Sequence, residues 1–238
     1  LFRSLHNMLD RFAGLITKAA KQGASAAKVS FSHGESLSCS FEAGRLKYAD
    51  SAESLVYNIA TIRDGRSGVA GGNIPDAMDE LLERAISFAR IGAVAHFSHY
   101  PAPGSYVDIK SHSPRVLTLT REKMISDCQD MVAYVKSLDD SLDISASADR
   151  SESESAVVNS AGLHETDTQT SWSISLGIQK TSGTDMLFSY AGRGWLDLNE
   201  LYDLEALKSE IAFDLQHAAR SAKISDGTYP IYLPPRMI

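Results

Sequence analysis

Ser54–Asn73, SLVYNIATIRDGRSGVAGGN, is the stretch whose reading decides the fold. Leu55 to Ile62 is rich in β-branched, aromatic and aliphatic residues. Both of its faces are mostly apolar, with Tyr57 and Ile59 on one and Val56, Ala60 and Ile62 on the other. Such a run predicts a strand covered on both sides, and so a central one. Asp64-Gly65 offers a two-residue hairpin turn, because both positions tolerate positive φ. Gly68, Gly71 and Gly72 follow on the returning strand, where glycines mark a bulge or a close backbone approach. A core hairpin explains the stretch better than a ligand loop. If the hairpin is central, Gly65→Val does far more damage than Gly183→Val, at the equivalent turn of the second half.

Upstream, Leu5, Leu9, Phe12, Ile16 and Ala19 recur at helical spacing over Leu5–Gln22, and Gly23 suits the position just past the helix end. Lys28–His33 reads as a short strand. Ser36–Glu42 alternates with Leu37, Cys39 and Phe41 inward, and Arg45–Ala49 returns after Ala43-Gly44. Downstream, Pro75 opens a helix with Asp76, Asp79 and Glu80 at its positive end. Met78, Leu81, Leu82, Ala85 and Phe88 form its buried stripe, and Gly92 ends it. Residues 93–117 hold Pro101, Pro103 and Pro114, and irregular stretches of that length are usually functional or linking.

The second half repeats the plan with a different sequence. Thr120 caps a helix, with Leu119 and Met124 at hydrophobic-staple spacing and Ile125, Cys128, Val132 and Val135 along its stripe. Leu142, Ile144, Ala146 and Ala148 alternate on a strand. Ser151-Glu152-Ser153-Glu154-Ser155 reads as a solvated loop, Ala156–Asn159 as another strand, and Ser160-Ala161-Gly162 as a turn. Trp172, Ile174, Leu176 and Ile178 alternate with small polar residues, Ser182-Gly183 turns the chain, and Met186–Ala191 pairs back. Leu204, Leu207, Ile211, Leu215 and Ala218 share a helix face; Asp226-Gly227 follows, and Tyr229–Leu233 begins a strand. Runs of strands between helices predict an α+β fold of two helix–antiparallel-sheet–helix halves. The units are residues 1–92 and 118–226, joined by the proline-containing loop 93–117, with a further domain starting at 227–238.

The totals set bounds. A chain of 238 residues, 43% hydrophobic and 22% charged, has length for a real core in one large domain or two small ones. A net charge of −7 without a basic cluster argues against nucleic acid and anionic membrane as partners. No apolar run reaches membrane-spanning length, and LFRSLHNMLD is no signal peptide, so a cytoplasmic protein is expected. Cys39 and Cys128 read as two reduced, buried thiols, one on a strand and one on a helix. A first residue other than Met and an apolar end predict a piece of a longer protein.

Catalytic constellations are not found. His96 and His99 stand at helical ligand spacing, but Pro101 and Pro103 break a helix there and no acid or cysteine is near, so two solvated loop histidines are expected. His164-Glu165 begins like a zinc-protease motif, yet Thr168 and Gln169 stand where a second histidine is required. Ser25 and Lys28 match a Ser-x-x-Lys spacing without its partner motifs. Asn159, Ser160 and Gly162 are explained by turn chemistry. No catalytic, cofactor-binding or metal-binding residue is therefore assigned.

The ordered set of segments resembles the TldD/PmbA family, also labelled modulator of DNA gyrase. It consists of Ile62–Ala70 (IRDGRSGVA), Ala85–Ala89 (AISFA), Asn159–Gly162 (NSAG) and Gly227–Pro235 (GTYPIYLPP). The resemblance implies the N-terminal half of a two-domain protein that dimerises around a chamber and degrades or matures unfolded peptides. In TldD-type relatives zinc is held by a His-Glu-x-x-x-His helix downstream of the last segment. PmbA-type relatives lack those ligands and act as partner subunits, and the loop with Phe97, Pro101, Pro103 and Tyr106 looks closer to that branch. The implied expectations are no cofactor in this chain, zinc only in a C-terminal half or a partner, and a homodimer or a heterodimer with a TldD-like subunit. Unfolded peptides are the expected substrates. Two readings stay open: a peptidase piece whose active site lies elsewhere, and a non-catalytic partner subunit. An unrelated ligand-binding α+β domain is the third.

Overall fold

Six antiparallel strands pair in the order β3-β2-β1-β4-β5-β6, namely Ala26–Glu42 (β1), Arg45–Arg63 (β2), Arg66–Gly72 (β3), Asp143–Asn159 (β4), His164–Ser182 (β5) and Asp185–Trp195 (β6). Among the described residues four helices accompany them: Phe2–Lys21 (α1), Met78–Ala89 (α2), Arg121–Leu138 (α3) and Leu204–Ala218 (α4). This computed structural model describes residues 2–107, 109–198, 202–218, 220, 222 and 225–233, with side chains from residue 8 onward. Leu5, placed on the first helical stripe, and Pro234-Pro235, part of the last family segment, lie outside the described side chains and residues.

The architecture is α+β, and each half contributes helix, three strands and helix. The halves do not build separate sheets. β1 and β4 pair continuously from Lys28↔Asn159 to Phe41↔Ala146. The central pair is thus β1 with β4, whereas β2, read as central, is second from the edge. The apolar reading of β2 holds in part. Tyr57 and Ile59 are buried, and so is Ile62 on the opposite face, but Val56 is exposed.

Several short strands merge. Lys28–His33 and Ser36–Glu42 are one strand running through Gly34. Ser151–Ser155, expected to be a loop, is the middle of β4. Its backbone pairs with residues 32–36 of β1 on one side and 167–171 of β5 on the other. Ladders on both sides satisfy backbone groups that an isolated SESES segment would leave to water. Tyr229–Leu233, expected to start a strand, pairs with none of the described strands.

Local chemistry behaves as its residue types require. Asp64 and Gly65 both take positive φ, 50° and 70°, as do Ala43 and Gly44 at the β1–β2 turn. The Thr120 hydroxyl accepts from the Lys123 N–H and caps α3. Pro75 opens a single 3-10 turn ahead of α2. On α2, Ile86 takes the buried place assigned to Phe88, which is exposed.

Burial alternates along each strand, and one parity faces the helices throughout. Val29, Phe31, Cys39 and Phe41 of β1 lie on the same face as Ala146, Ala148, Ala156 and Val158 of β4. Two cores occupy opposite ends of this face. One joins α1 and α2 to β1, β2 and β3 through Phe12, Val29, Ile59, Leu82 and Ala85. The other joins α3 and α4 to β4 and β5 through Cys128, Met131, Ile144, Trp172, Leu176 and Ile211.

Candidate functional surface

The opposite parity of every long strand forms a face that none of the described helices covers. Its rows on β1 and β4 are mostly serine: Ser30, Ser32, Ser36, Ser38 and Ser40 on β1, and Ser145, Ser147, Ser151, Ser153 and Ser155 on β4. Ser171, Ser173 and Ser175 continue them on β5. Cross-strand hydroxyls meet at Ser147–Ser175 (2.9 Å) and Ser151–Ser171 (2.7 Å). Carboxylates interrupt the serines at Asp50, Asp143, Asp149 and Asp167, while Lys28 is a cation of the same parity. Desolvation on the sheet pushes the Asp149 carboxyl up from its ordinary range.

Residues 93–117 form a strap along one end of this sheet. It starts at the β3 edge, where Arg66 bridges Val94 and the Ala95 N–H donates to the Gly65 carbonyl at 2.8 Å. Tyr100 then buries itself on Ala26 and Ile62 of the uncovered face, with the Lys28 ammonium 5.7 Å from its ring centre. The Asn159 amide donates to the Pro101 carbonyl at 2.9 Å. Further on, the Ser111 carbonyl accepts from Thr170 N–H (2.9 Å) and the Ser113 N–H donates to Thr170 Oγ1 (2.9 Å), so the strap extends the β5 edge. Arg115 closes it on Asp197 at 2.7 Å, and Ser113 donates to the same carboxylate. These contacts, the serine first, hold Asp197 below the usual carboxylate range. A cavity of about 870 Å³ lies between strap and sheet. Tyr106, Val107 and Ile109 line it from the strap, and Ser155, Asp167 and Gln169 from the strands.

On the helix face, the gap between the two cores is polar. His33 meets Glu53 at 3.0 Å, and His112 of the strap meets Glu152 at 2.9 Å. Glu35, Leu37, Arg150 and Leu117 line a cavity of about 410 Å³ there with Glu53 and Glu152. Glu152 of the SESES segment lines this gap and Glu154 shares its face of β4, whereas the serines lie on the uncovered face.

The residues weighed from the sequence are not brought together. His96 and His99 are exposed on the strap, and His99 Nδ1 bonds the Ser98 hydroxyl at 2.9 Å. His164 and Glu165 open β5 as strand residues. Ser25 Oγ donates to the Ile62 carbonyl at 3.1 Å, a loop-to-strand tie. Asn159 does more than turn the chain. Its Oδ1 accepts from Ala161 N–H (2.8 Å) and Leu163 N–H (3.2 Å) while its amide holds the strap, and Ser160 Oγ accepts from Ala27 N–H at 3.1 Å. NSAG therefore locks the β4–β5 turn to β1 and the strap. Among the described residues, no group of three or more His, Cys, Asp or Glu side chains could hold a metal ion. The described residues do not fit a zinc site.

An open antiparallel sheet with one helical layer defines a class of architecture, and solved structures share this fold. TldE from Thermococcus kodakarensis superposes with a TM-score of 0.76 at 19% identity, covering 87% of this chain and 48% of that one. A protein from Thermotoga maritima provisionally named as a modulator of a DNA gyrase gives 0.76 at 14% identity, covering 95% of this chain and 50% of that one. A protein of the same provisional name from Bacteroides thetaiotaomicron gives 0.74 at 18%, covering 86% and 48%. The chain thus spans about half the length of these structures. Residues 27–89 match the family description PmbA/TldA metallopeptidase domain 1. No curated protein sequence matches. The match over residues 27–89 and the shared fold are what this chain has in common with proteins of the TldD/PmbA type.

Proposed function

We propose that this chain handles unfolded peptides as a wall of a chamber in a TldD/PmbA-type assembly, and that it performs no hydrolysis itself. The observation that carries the reading is the bare, serine-rich face of the six-stranded sheet with the strap beside it. An extended peptide presents backbone donors and acceptors along its whole length. Rows of hydroxyls can match these without selecting side chains, and free strand edges add main-chain pairing. The strap's Tyr106, Val107 and Ile109 supply an apolar margin for occasional hydrophobic side chains. Peptide hydrolysis needs an activated nucleophile, a proton for the leaving amine and oxyanion stabilisation, and no described cluster offers that set. Chemistry then belongs to a zinc-bearing C-terminal half or to a TldD-like partner in a homodimer or heterodimer, in the cytoplasm. Neither nucleic acid nor membrane is a partner in this reading. None of the described helices is long and apolar enough to cross a membrane.

The test is binding of a fluorescently labelled, permanently unfolded polypeptide, followed by anisotropy and by product analysis. Binding without cleavage is expected, weakening when Tyr106, Val107 and Ile109 are replaced together by serine. The acids of the uncovered face make binding to basic peptides weaken as salt rises. Chelator-insensitive cleavage by this chain alone, abolished by one point mutation within it, overturns the reading.

A further inference from the structure

Two residues that the chain order keeps 89 positions apart meet in the second core. Cys39 of β1 and Cys128 of α3 are 1% and 0% exposed, and their sulfurs are 3.8 Å apart. Cys39 is flanked across the sheet by Ala49 and Ala148, two small side chains that leave room for α3 to seat Cys128 above it. A disulfide needs an S–S distance of about 2.05 Å. The remaining gap of about 1.8 Å is on the scale of side-chain rotation about two Cα–Cβ bonds. The Cys39–Cys128 hydrogen bond comes first among the influences on both thiols. It pulls Cys39 below the ordinary thiol range and, together with burial, pushes Cys128 above it.

We propose that Cys39 and Cys128 form a reversible dithiol–disulfide site, with small-molecule disulfides such as glutathione disulfide as the oxidant class. The Cys39 thiolate attacks one sulfur of the oxidant, forming a mixed disulfide and releasing one thiolate, which takes up a proton. The Cys128 thiolate then attacks Cys39 Sγ, forming the intrachain bond and releasing the second thiol. Two protein thiols lose two electrons and two protons in total, and the oxidant is reduced to two thiols. Both sulfurs are buried, so the reaction proceeds through transient separation of α3 from the sheet. The bond ties the helix layer of the second half to the first strand of the chain. The loop it closes includes β2, β3, α2 and the strap.

The experiment incubates the purified chain with glutathione disulfide, with and without urea below its unfolding midpoint. Remaining thiols are then alkylated in full denaturant, and intact mass, peptide maps and melting temperature are read. The expected product has lost two hydrogens, carries no alkyl group or glutathione, and yields a cross-linked peptide joining residues 39 and 128. Loop closure raises its melting temperature by about 5 °C or more, and a reducing thiol reverses both readouts. Cys39→Ala and Cys128→Ala each give one alkylated thiol or one glutathione adduct, with no rise in melting temperature. The wild-type mass and map stand alone if either variant misfolds. Full alkylation of both thiols after oxidation in urea, stable glutathione adducts on wild type, or an oxidised form that melts lower each overturns the proposal.

Discussion

The two halves follow one plan and close it in opposite ways. In the first half, α2 approaches β3 so closely that only glycine fits. A Cβ on Gly68 would stand 2.1 Å from the Ala85 carbonyl oxygen and 2.3 Å from the Ala89 nitrogen, and one on Gly92 would stand 1.9 Å from the Ser67 carbonyl oxygen. In the second half, α3, α4 and the segment just before α4 pack on one another and on the sheet with large and polar side chains. The Trp172 ring packs edge-on against Tyr202 at 5.1 Å, and its indole N–H donates to the Asp197 carbonyl at 2.6 Å. The Tyr202 hydroxyl donates to the buried Asp127, which also takes Lys123 at 2.5 Å. Burial comes first in pushing the Tyr202 phenol above its ordinary range, followed by Asp127. Lys208, 6% exposed, bonds Asp130 (2.5 Å) and Glu205 (2.8 Å). One topology therefore accepts either backbone-to-backbone contact or side-chain-filled separation, and the two respond differently to substitution.

The largest expected effect is at the glycine contact. Gly68→Val forces apart two backbones that cannot relax by rotamer change, costing about 4 kcal/mol or more. Chemical denaturation of Gly68→Val and Gly68→Ala checks this, and a wild-type midpoint for the valine variant would mean that α2 stands off β3. Trp172→Phe in the other half keeps an aromatic ring but loses the indole donor and part of the edge contact. A loss of about 1–3 kcal/mol is expected, with the near-ultraviolet dichroism of the Trp172–Tyr202 pair disappearing.

The hairpin turns sharpen the comparison further. Gly65 and Gly183 both have positive φ, 70° and 63°, and neither has an atom within 4 Å of an added Cβ. The greater sensitivity expected at Gly65 therefore gives way to near equality. Either glycine replaced by alanine costs about 1 kcal/mol from backbone strain alone, and paired melting curves should overlap. Valine at either turn should likewise behave alike.

The smallest effect is electrostatic and belongs to the second half. Lys180 bonds Asp139 at 2.5 Å, and this contact, followed by the Ser141 hydrogen bonds, lowers the Asp139 carboxyl to about 2. A depressed folded-state value contributes stability that is fully present above the ordinary carboxylate range and is lost as pH falls through about 2. Exposed pairs of this kind contribute little. Lys180→Met should therefore leave the melting temperature at pH 7 nearly unchanged. Carbon-detected NMR titration should show the Asp139 midpoint rising toward the ordinary range.

Much of this was legible residue by residue. The Asp64-Gly65 turn, the Thr120 cap, the alternation of Trp172–Ile178 and the paired helix–strands–helix order follow from short-range chemistry, which neighbours in the chain decide. The Ile62–Ala70 hairpin, the end of the second helix at Ala85–Ala89 and the Asn159–Gly162 turn were legible as well, because their residue types show. The uncovered face was partly legible: serines alternate visibly on β5, but SESES alone carries no sign that it is a strand. Its identity comes from partners at residues 32–36 and 167–171, and local sequence does not encode pairing at that distance. The same applies to Gly68, whose need for glycine lies in Ala85 and Ala89, and to Cys39 and Cys128, which only the seating of α3 on β1 brings together. Sequence by itself determined the kinds of element, their turns and their apolar faces, since dihedral preference and hydrophobic period are local properties. Tertiary structure decided that the two halves share one sheet, that all four helices occupy one side, and that the serines face outward. Strand register and face are set jointly by distant ladders and by the single layer of helices that buries the apolar parity.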